Sequence, residues 1–285
     1  MKQCSFYTTV TLSDFEDVQY INQLIKLNIG LELALLTKLS NNLNLAQYER
    51  DLDALKKEIT AFKSYFSQFN IPLENIRVHQ PGGYTYDWSH ETEKSGFDFL
   101  KEFFSYCYDL GFRNFVIHAP YGNSLVNSLE ELNDYREKLS TLLPDDARLE
   151  VEEISVSHND LENTNIRVYK GDLLEKLIKD QKAKILLDTY ECGGIKETMG
   201  RLKELKSKGF EIKSIHLHKD KHKFLTSDEV GLLLQSNFSG NLINEGFLQD
   251  ESSFDEFVKT KSINCVMPNN QRIEILKKYI EQISN

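Results

Sequence analysis

Short apolar runs alternate with longer amphipathic segments along the whole chain, and the alternation repeats eight times. The pattern predicts strands at 4–10, 29–36, 75–79, 115–118, 148–154, 183–188, 212–218 and 241–245. Between and after them it predicts helices near 13–28, 45–69, 96–110, 128–142, 171–179, 195–208, 227–235, 253–259 and 270–284. Ser13 or Asp14 is the expected N-cap of the first helix, with Glu16 and Asp17 in its first turn. Gly111 and Gly209 follow helical periodicity and read as stops. Strand–helix alternation implies a parallel sheet, and eight such units close most naturally into a (β/α)8 TIM barrel of α/β class. No Pro/Gly/Ser-rich linker divides the chain, and α/β barrels routinely run to roughly 250 residues as one unit. One domain over 1–285 is therefore the economical expectation.

Polar residues stand at the ends of these runs. His79 ends the third, His118 the fourth, Glu152 the fifth and Asp188 the sixth, while His216 and His218 end the seventh and Glu245 the eighth. Asp220 and His222 lie just beyond the seventh. In a parallel barrel the C-terminal strand ends share one mouth, so groups scattered in sequence are expected to converge there as a metal site. A strand-end histidine taken singly is more often a half-buried hydrogen-bonded residue, and it is the repetition that favours ligation. Glu152 and Glu153 are adjacent, so only one can face the axis under the two-residue period of a strand. His216 and His218 share parity and can both face inward. His222, in Lys219-Asp220-Lys221-His222-Lys223, reads equally well as a ligand or as part of a solvated run, and His90 and His158 read as loop residues.

Composition narrows the setting. The chain is 40% hydrophobic, enough for a sizeable core, and carries a net charge of −10. Phosphate-backbone binding needs clustered Lys/Arg, so this balance argues against a nucleic-acid partner, although a local basic groove stays open. No stretch approaches the ~18–20 apolar residues of a membrane span, and Met1 to Tyr7 lacks a signal-peptide pattern. A cytoplasmic protein is expected. Cys4, Cys107, Cys192 and Cys265 are spread singly, which fits reduced thiols better than disulfides or a zinc–thiolate site. Gly193-Gly194 has no accompanying phosphate-loop spacing and reads as a tight turn.

Six motifs in order carry a resemblance. They are Val78-His79-Gln80-Pro81, Val116 to Gly122 (VIHAPYG), Val151-Glu152-Glu153, Leu186 to Tyr190 (LLDTY), Ile215 to His222 (IHLHKDKH) and Ile243-Asn244-Glu245-Gly246. The chain resembles, over nearly its whole length, the xylose isomerase-like TIM barrel superfamily, which includes endonuclease IV and the sugar isomerases and epimerases. The resemblance implies ligands shared with the epimerase branch at Glu152, Asp188, His216 or His218, and Glu245. It implies further endonuclease IV-like ligands at His79, His118 and the Asp220-Lys221-His222 element. Glu191 stands where both branches usually carry histidine, three residues after the sixth-strand aspartate. Glu32 resembles a substrate-contacting acid of the superfamily, with a structural ion pair as the alternative. Tyr84 and Trp88, after the third strand, could stack on a sugar or simply pack in their loop.

Mixed imidazole and carboxylate donors suit Zn²⁺ or Mn²⁺ better than a carboxylate-only cage would. Glu152 and Glu245 are the candidates for both ligation and acid/base work. The leading expectation is a divalent-metal-dependent isomerase or epimerase acting on a small sugar or other hydroxy-carbonyl compound. The alternatives are a multi-zinc phosphodiesterase acting on abasic DNA and a barrel without catalysis. Monomer and homo-oligomer are both open.

Overall fold

The computed structural model describes residues 4–37, 39, 44–81, 96–119, 129–153, 173–248 and 266–284. Its strands are β1 (Ser5–Val10), β2 (Gly30–Leu33), β3 (Ile76–His79), β4 (Asn114–His118), β5 (Arg148–Glu152), β6 (Lys184–Asp188), β7 (Ile212–Leu217) and β8 (Asn241–Asn244). The helices among the described residues are α1 (Val18–Lys26), α2 (Leu45–Phe69), α3 (Gly96–Asp109), α4 (Leu129–Thr141), α5 (Leu173–Ile178), α6 (Ile195–Ser207), α7 (Ser227–Leu234) and α8 (Asn269–Ser284). The strands follow in sequence order as a closed parallel barrel, the expected (β/α)8 class. The helix expected at 253–259, Tyr84, Trp88, His90, His158 and Cys265 lie outside the described residues.

Two expectations shift at the start of the chain. The first helix is not continuous: a 3-10 turn, Leu12–Glu16, precedes α1. Neither Ser13 nor Asp14 caps α1; Asp17 does, its side chain accepting from the Tyr20 amide at 3.0 Å. Asp14 is committed elsewhere, accepting from the Thr11 amide at 2.7 Å and pairing with Arg272 at 2.7 Å. The second strand ends at Leu33 rather than 36. Beyond it, the carboxylate of Glu58 accepts from the Leu36 and Thr37 amides at 2.8 and 3.0 Å, and so takes the place of a strand ladder.

By packing, the chain falls into two compact units, Met1–Ala34 with Leu186–Asn285, and Leu35–Ile185. In the first, β7, β8, β1 and β2 pair in register, with His216 opposite Ile243, Tyr7 opposite Ile243 and Gly30, and Thr9 opposite Glu32. Residues paired in this way share a face, so Tyr7, Thr9, Glu32, Ile243, His216 and, by parity, His218 form one set. Gly30 leaves room for the Tyr7 ring; a Cβ there would come within 2.3 Å of it. Arg272 of α8 is buried, donating to Asp14 and to the Thr9 carbonyl at 2.7 Å each, and lies over the Tyr20 ring. The terminal helix is thereby tied to the end of β1.

The second unit is built around aromatics. Phe62, Phe66, Phe99, Phe103, Phe104, Phe112 and Phe115 are buried on α2, α3, β4 and the turn between them. Each fully buried ring contributes about 1.5–3 kcal/mol. Gly111, at φ +103°, ends α3 and lets the Phe112 amide reach the Cys107 carbonyl at 3.1 Å. Cys4 and Cys107 are buried and Cys192 is half-buried, and none of the three is in a disulfide.

Candidate metal centre

Parallel pairing fixes which side chains meet. In the second unit, β4 lies between β3 and β5, with His79 level with Val116 and Val116 with Glu150, and His118 level with Glu152. Two rungs result. Arg77 pairs with Glu150 at 2.7 Å, and two residues further along each strand His79 Nε2 lies 3.0 Å from Glu152 Oε2. His118 Nε2 lies 3.5 Å from the same oxygen, and the two imidazole rings meet edge to face. Glu152, not Glu153, is the buried member of the adjacent pair. Gln80 accepts from the His118 amide at 3.1 Å and holds the two strand ends together.

In the first unit the set is denser. His216 is fully buried, with Nε2 3.1 Å from Glu32 and Nδ1 3.4 Å from Glu245 and 3.9 Å from Asp188. His218 Nε2 lies 2.7 Å from Asp188 Oδ2 and 3.5 Å from Glu245 Oε2. Asp188 is aimed by its own turn: Oδ1 accepts from the Tyr190 and Glu191 amides at 2.7 and 2.9 Å, which leaves Oδ2 to the histidine. Thr189 ties the ends of β6 and β7, its hydroxyl donating to the His218 carbonyl at 2.7 Å and accepting from the His218 amide at 3.0 Å. The turn then closes on Gly193 and Gly194, both at positive φ.

The tautomers are set by backbone carbonyls. His218 Nδ1 lies 2.7 Å from the Lys219 carbonyl and His79 Nδ1 2.9 Å from that of Gln80, and a carbonyl only accepts. In each ring Nδ1 therefore carries a proton and Nε2 faces a carboxylate. Two lone pairs cannot share that approach, so a proton or a metal cation must satisfy it. Burial disfavours charge on His218, yet Asp188, Glu245 and the Lys219 carbonyl outweigh it and push the imidazole up to about 9. The site gathers more negative charge than it neutralises.

These donors fit a divalent ion. Tetrahedral zinc with ligands at ~2.0–2.2 Å puts neighbouring ligand atoms roughly 3.3–3.6 Å apart. The His216–Glu245 and His218–Glu245 separations are 3.4 and 3.5 Å. Glu32 lies behind His216 at 3.1 Å, where a carboxylate would orient the imidazole if it held an ion.

His222 joins the set through an unexpected device. Lys221 and His222 both adopt left-handed backbone, φ 55° and 52°, in a turn closed by a Lys219–Lys223 bridge. This stacks the His222 ring on that of His218 at 4.5 Å and brings it within 4.8 Å of ligand atoms of His218 and Glu245. Left-handed geometry costs about 1–2 kcal/mol per non-glycine residue, and such outliers cluster at functional sites. Replacing Lys221 with glycine is accordingly expected to raise stability by about 0.5–1 kcal/mol in urea unfolding; a decrease would contradict the strain. Asp220 is exposed, accepts a hydrogen bond from Tyr190 and is not in the group of His218, His222 and Glu245. Glu191 is half-buried, its amide bound to Asp188. Tyr190 closes the LLDTY motif but has no role in the sequence reading, although it stands two residues after Asp188; its ring packs against His218 at 5.7 Å.

No family model and no curated protein sequence matches the chain. Solved structures do. A xylose isomerase domain containing protein from Salmonella typhimurium LT2 aligns over 100% of both chains at 13% identity, with a TM-score of 0.55. The chain has the fold of a (β/α)8 TIM barrel. A psychrophilic glycoside hydrolase family 10 endo-beta-1,4-xylanase aligns over 85% of this chain and 86% of its own at 13% identity and a TM-score of 0.51. The endonuclease IV of Thermus thermophilus aligns over 84% of this chain and 91% of its own at 13% identity and a TM-score of 0.49. At such identities the likeness is one of fold, and a barrel hosts many reactions, so chemistry must be argued from the residues. Among the described residues no helix is long and apolar enough to cross a membrane.

Proposed function

We propose that the protein is a divalent-metal-dependent isomerase or epimerase acting on a small sugar or other hydroxy-carbonyl compound, with residues 1–285 working as one domain. The observation that carries this reading is the meeting of Asp188, His216, His218 and the partly exposed Glu245 at strand ends, with Glu245 at ligand-like separations of 3.4 and 3.5 Å from the two histidines and Asp188 3.9 and 2.7 Å from them. Asp188, Glu245, His216 and His218 would hold Zn²⁺ or Mn²⁺, with Glu32 orienting His216. His79, His118 and Glu152 are the further proposed ligands. A bound ion would polarise the substrate carbonyl or hydroxyl. The protein's own part is proton transfer: one carboxylate removes a proton from the carbon beside the carbonyl, and a carboxylic acid returns one to that carbon or its neighbour. Glu245 and Glu152 are the proposed pair. Glu245 is the more accessible, its side chain 13% exposed against 7% for Glu152.

One observation favours a second reading. His218, His222 and Glu245 have ligand atoms within 4.8 Å of one another and could hold an ion of their own, so Glu245 is shared by two candidate groups. Shared carboxylates of this kind suit a multi-zinc phosphodiesterase. The test is incubation with a panel of ketoses and 2-keto acids in deuterated water with added Mn²⁺ or Zn²⁺. Metal-dependent uptake of deuterium at the substrate carbon is expected. No exchange, together with metal-dependent nicking of a duplex containing an abasic site, would replace the first reading by the second. Silence in both assays would favour a barrel without catalysis.

A further inference from the structure

The run Lys219-Asp220-Lys221-His222-Lys223 concentrates positive charge in a chain of net charge −10. Two of its members are already committed. Lys219 pairs with Glu229 at 2.8 Å, and Asp220 accepts from the Tyr190 hydroxyl. Lys221 differs from both: it is half-buried, and among the described residues no carboxylate pairs with it. Its backbone is left-handed at φ 55°, ψ 39°, a conformation that glycine or asparagine adopts more readily. The turn is held there by the Lys219 amide on the Lys223 carbonyl at 2.8 Å and the Phe247 amide on the His222 carbonyl at 3.0 Å. Turn geometry therefore gives no reason for a lysine, and the side chain is what the position gains. It sits one residue from His222, which belongs to the ligand group with His218 and Glu245.

We propose that the substrate carries an oxyanion, as phosphate or carboxylate, and that Lys221 binds it beside the metal centre; this rests on the metal reading above. A lysine with no internal counter-ion among the described residues is available to an anion, and a charge-assisted hydrogen bond of that kind changes affinity by about ten- to a hundredfold. Lysine meets such a group as a point charge, so arginine should largely replace it.

The test uses the full chain loaded with Mn²⁺ or Zn²⁺, titrated calorimetrically with inorganic phosphate, with pyruvate and with fructose. Lys221→Gln should bind phosphate or pyruvate about ten- to a hundredfold more weakly, and Lys221→Arg should come within about threefold of the wild type. Fructose binding and metal content should not change. The anion that responds identifies the group as phosphate or carboxylate. Unchanged affinity for both anions in Lys221→Gln, with metal content intact, would overturn the role of Lys221 and leave the metal centre standing. An equal loss for fructose would overturn it too, because the effect would not be one of charge. Failure of the wild type to bind metal would overturn both.

Discussion

Asp188→Asn is expected to weaken divalent-metal binding by more than about a hundredfold, since loss even of a group that merely orients a ligand typically costs 10–100-fold. The metal-free protein should unfold within about 1–2 kcal/mol of the wild type. Both halves follow from the same geometry. An asparagine Oδ1 can still accept from the Tyr190 and Glu191 amides, and its Nδ2 can donate to the Nε2 of a neutral His218, so the turn and the histidine keep their places. Only the charge that a cation needs is lost. Glu245→Gln should behave alike, its side chain being partly accessible and no part of the apolar core. Wild-type metal affinity in both variants would mean that these carboxylates are not ligands.

The second large effect concerns stability. Arg272→Met is expected to destabilise the protein by about 3–5 kcal/mol, because it leaves Asp14 buried without its partner. Arg272 is 1% exposed and Asp14 4%, and the arginine also satisfies the Thr9 carbonyl. Adding Asp14→Leu should recover part of the loss, since a buried ion pair replaced by apolar residues is often near neutral. Urea unfolding of the single and double variants gives the comparison. If the single variant loses less than about 1 kcal/mol, the network does not hold α8 as described.

The parts of this molecule that were legible in its sequence are those governed by short-range period. Strand ends at His79, His118 and Asp188 are legible because the two-residue alternation and the following helix both mark them, whereas β5 stops at Glu152, two residues short of the expected end. The inward parity of His216 and His218 followed from the same rule. Choosing between Glu152 and Glu153 required the register of β5 against β4, which adjacent identical residues cannot reveal. The sequence leaves His222 open between a ligand and a member of a solvated run. Nothing local announces two consecutive left-handed residues without glycine, and it is these that bring the ring to His218. The capping error at α1 is a matter of distance: Asp14 is taken by Arg272, 258 residues away, and a local propensity cannot weigh so remote a competitor. Glu32 was noticed by resemblance alone, and the structure supplies the reason for it, a carboxylate behind His216.

Metal titration of chelator-stripped wild-type protein bears most directly on the reading of this barrel as a metal enzyme. Calorimetry with Zn²⁺ and Mn²⁺ should show saturable binding, near one ion per chain for the isomerase or epimerase and two or three for the phosphodiesterase, that disappears in the Asp188→Asn, Glu245→Gln double variant. Binding no stronger in the wild type than in that variant would contradict it.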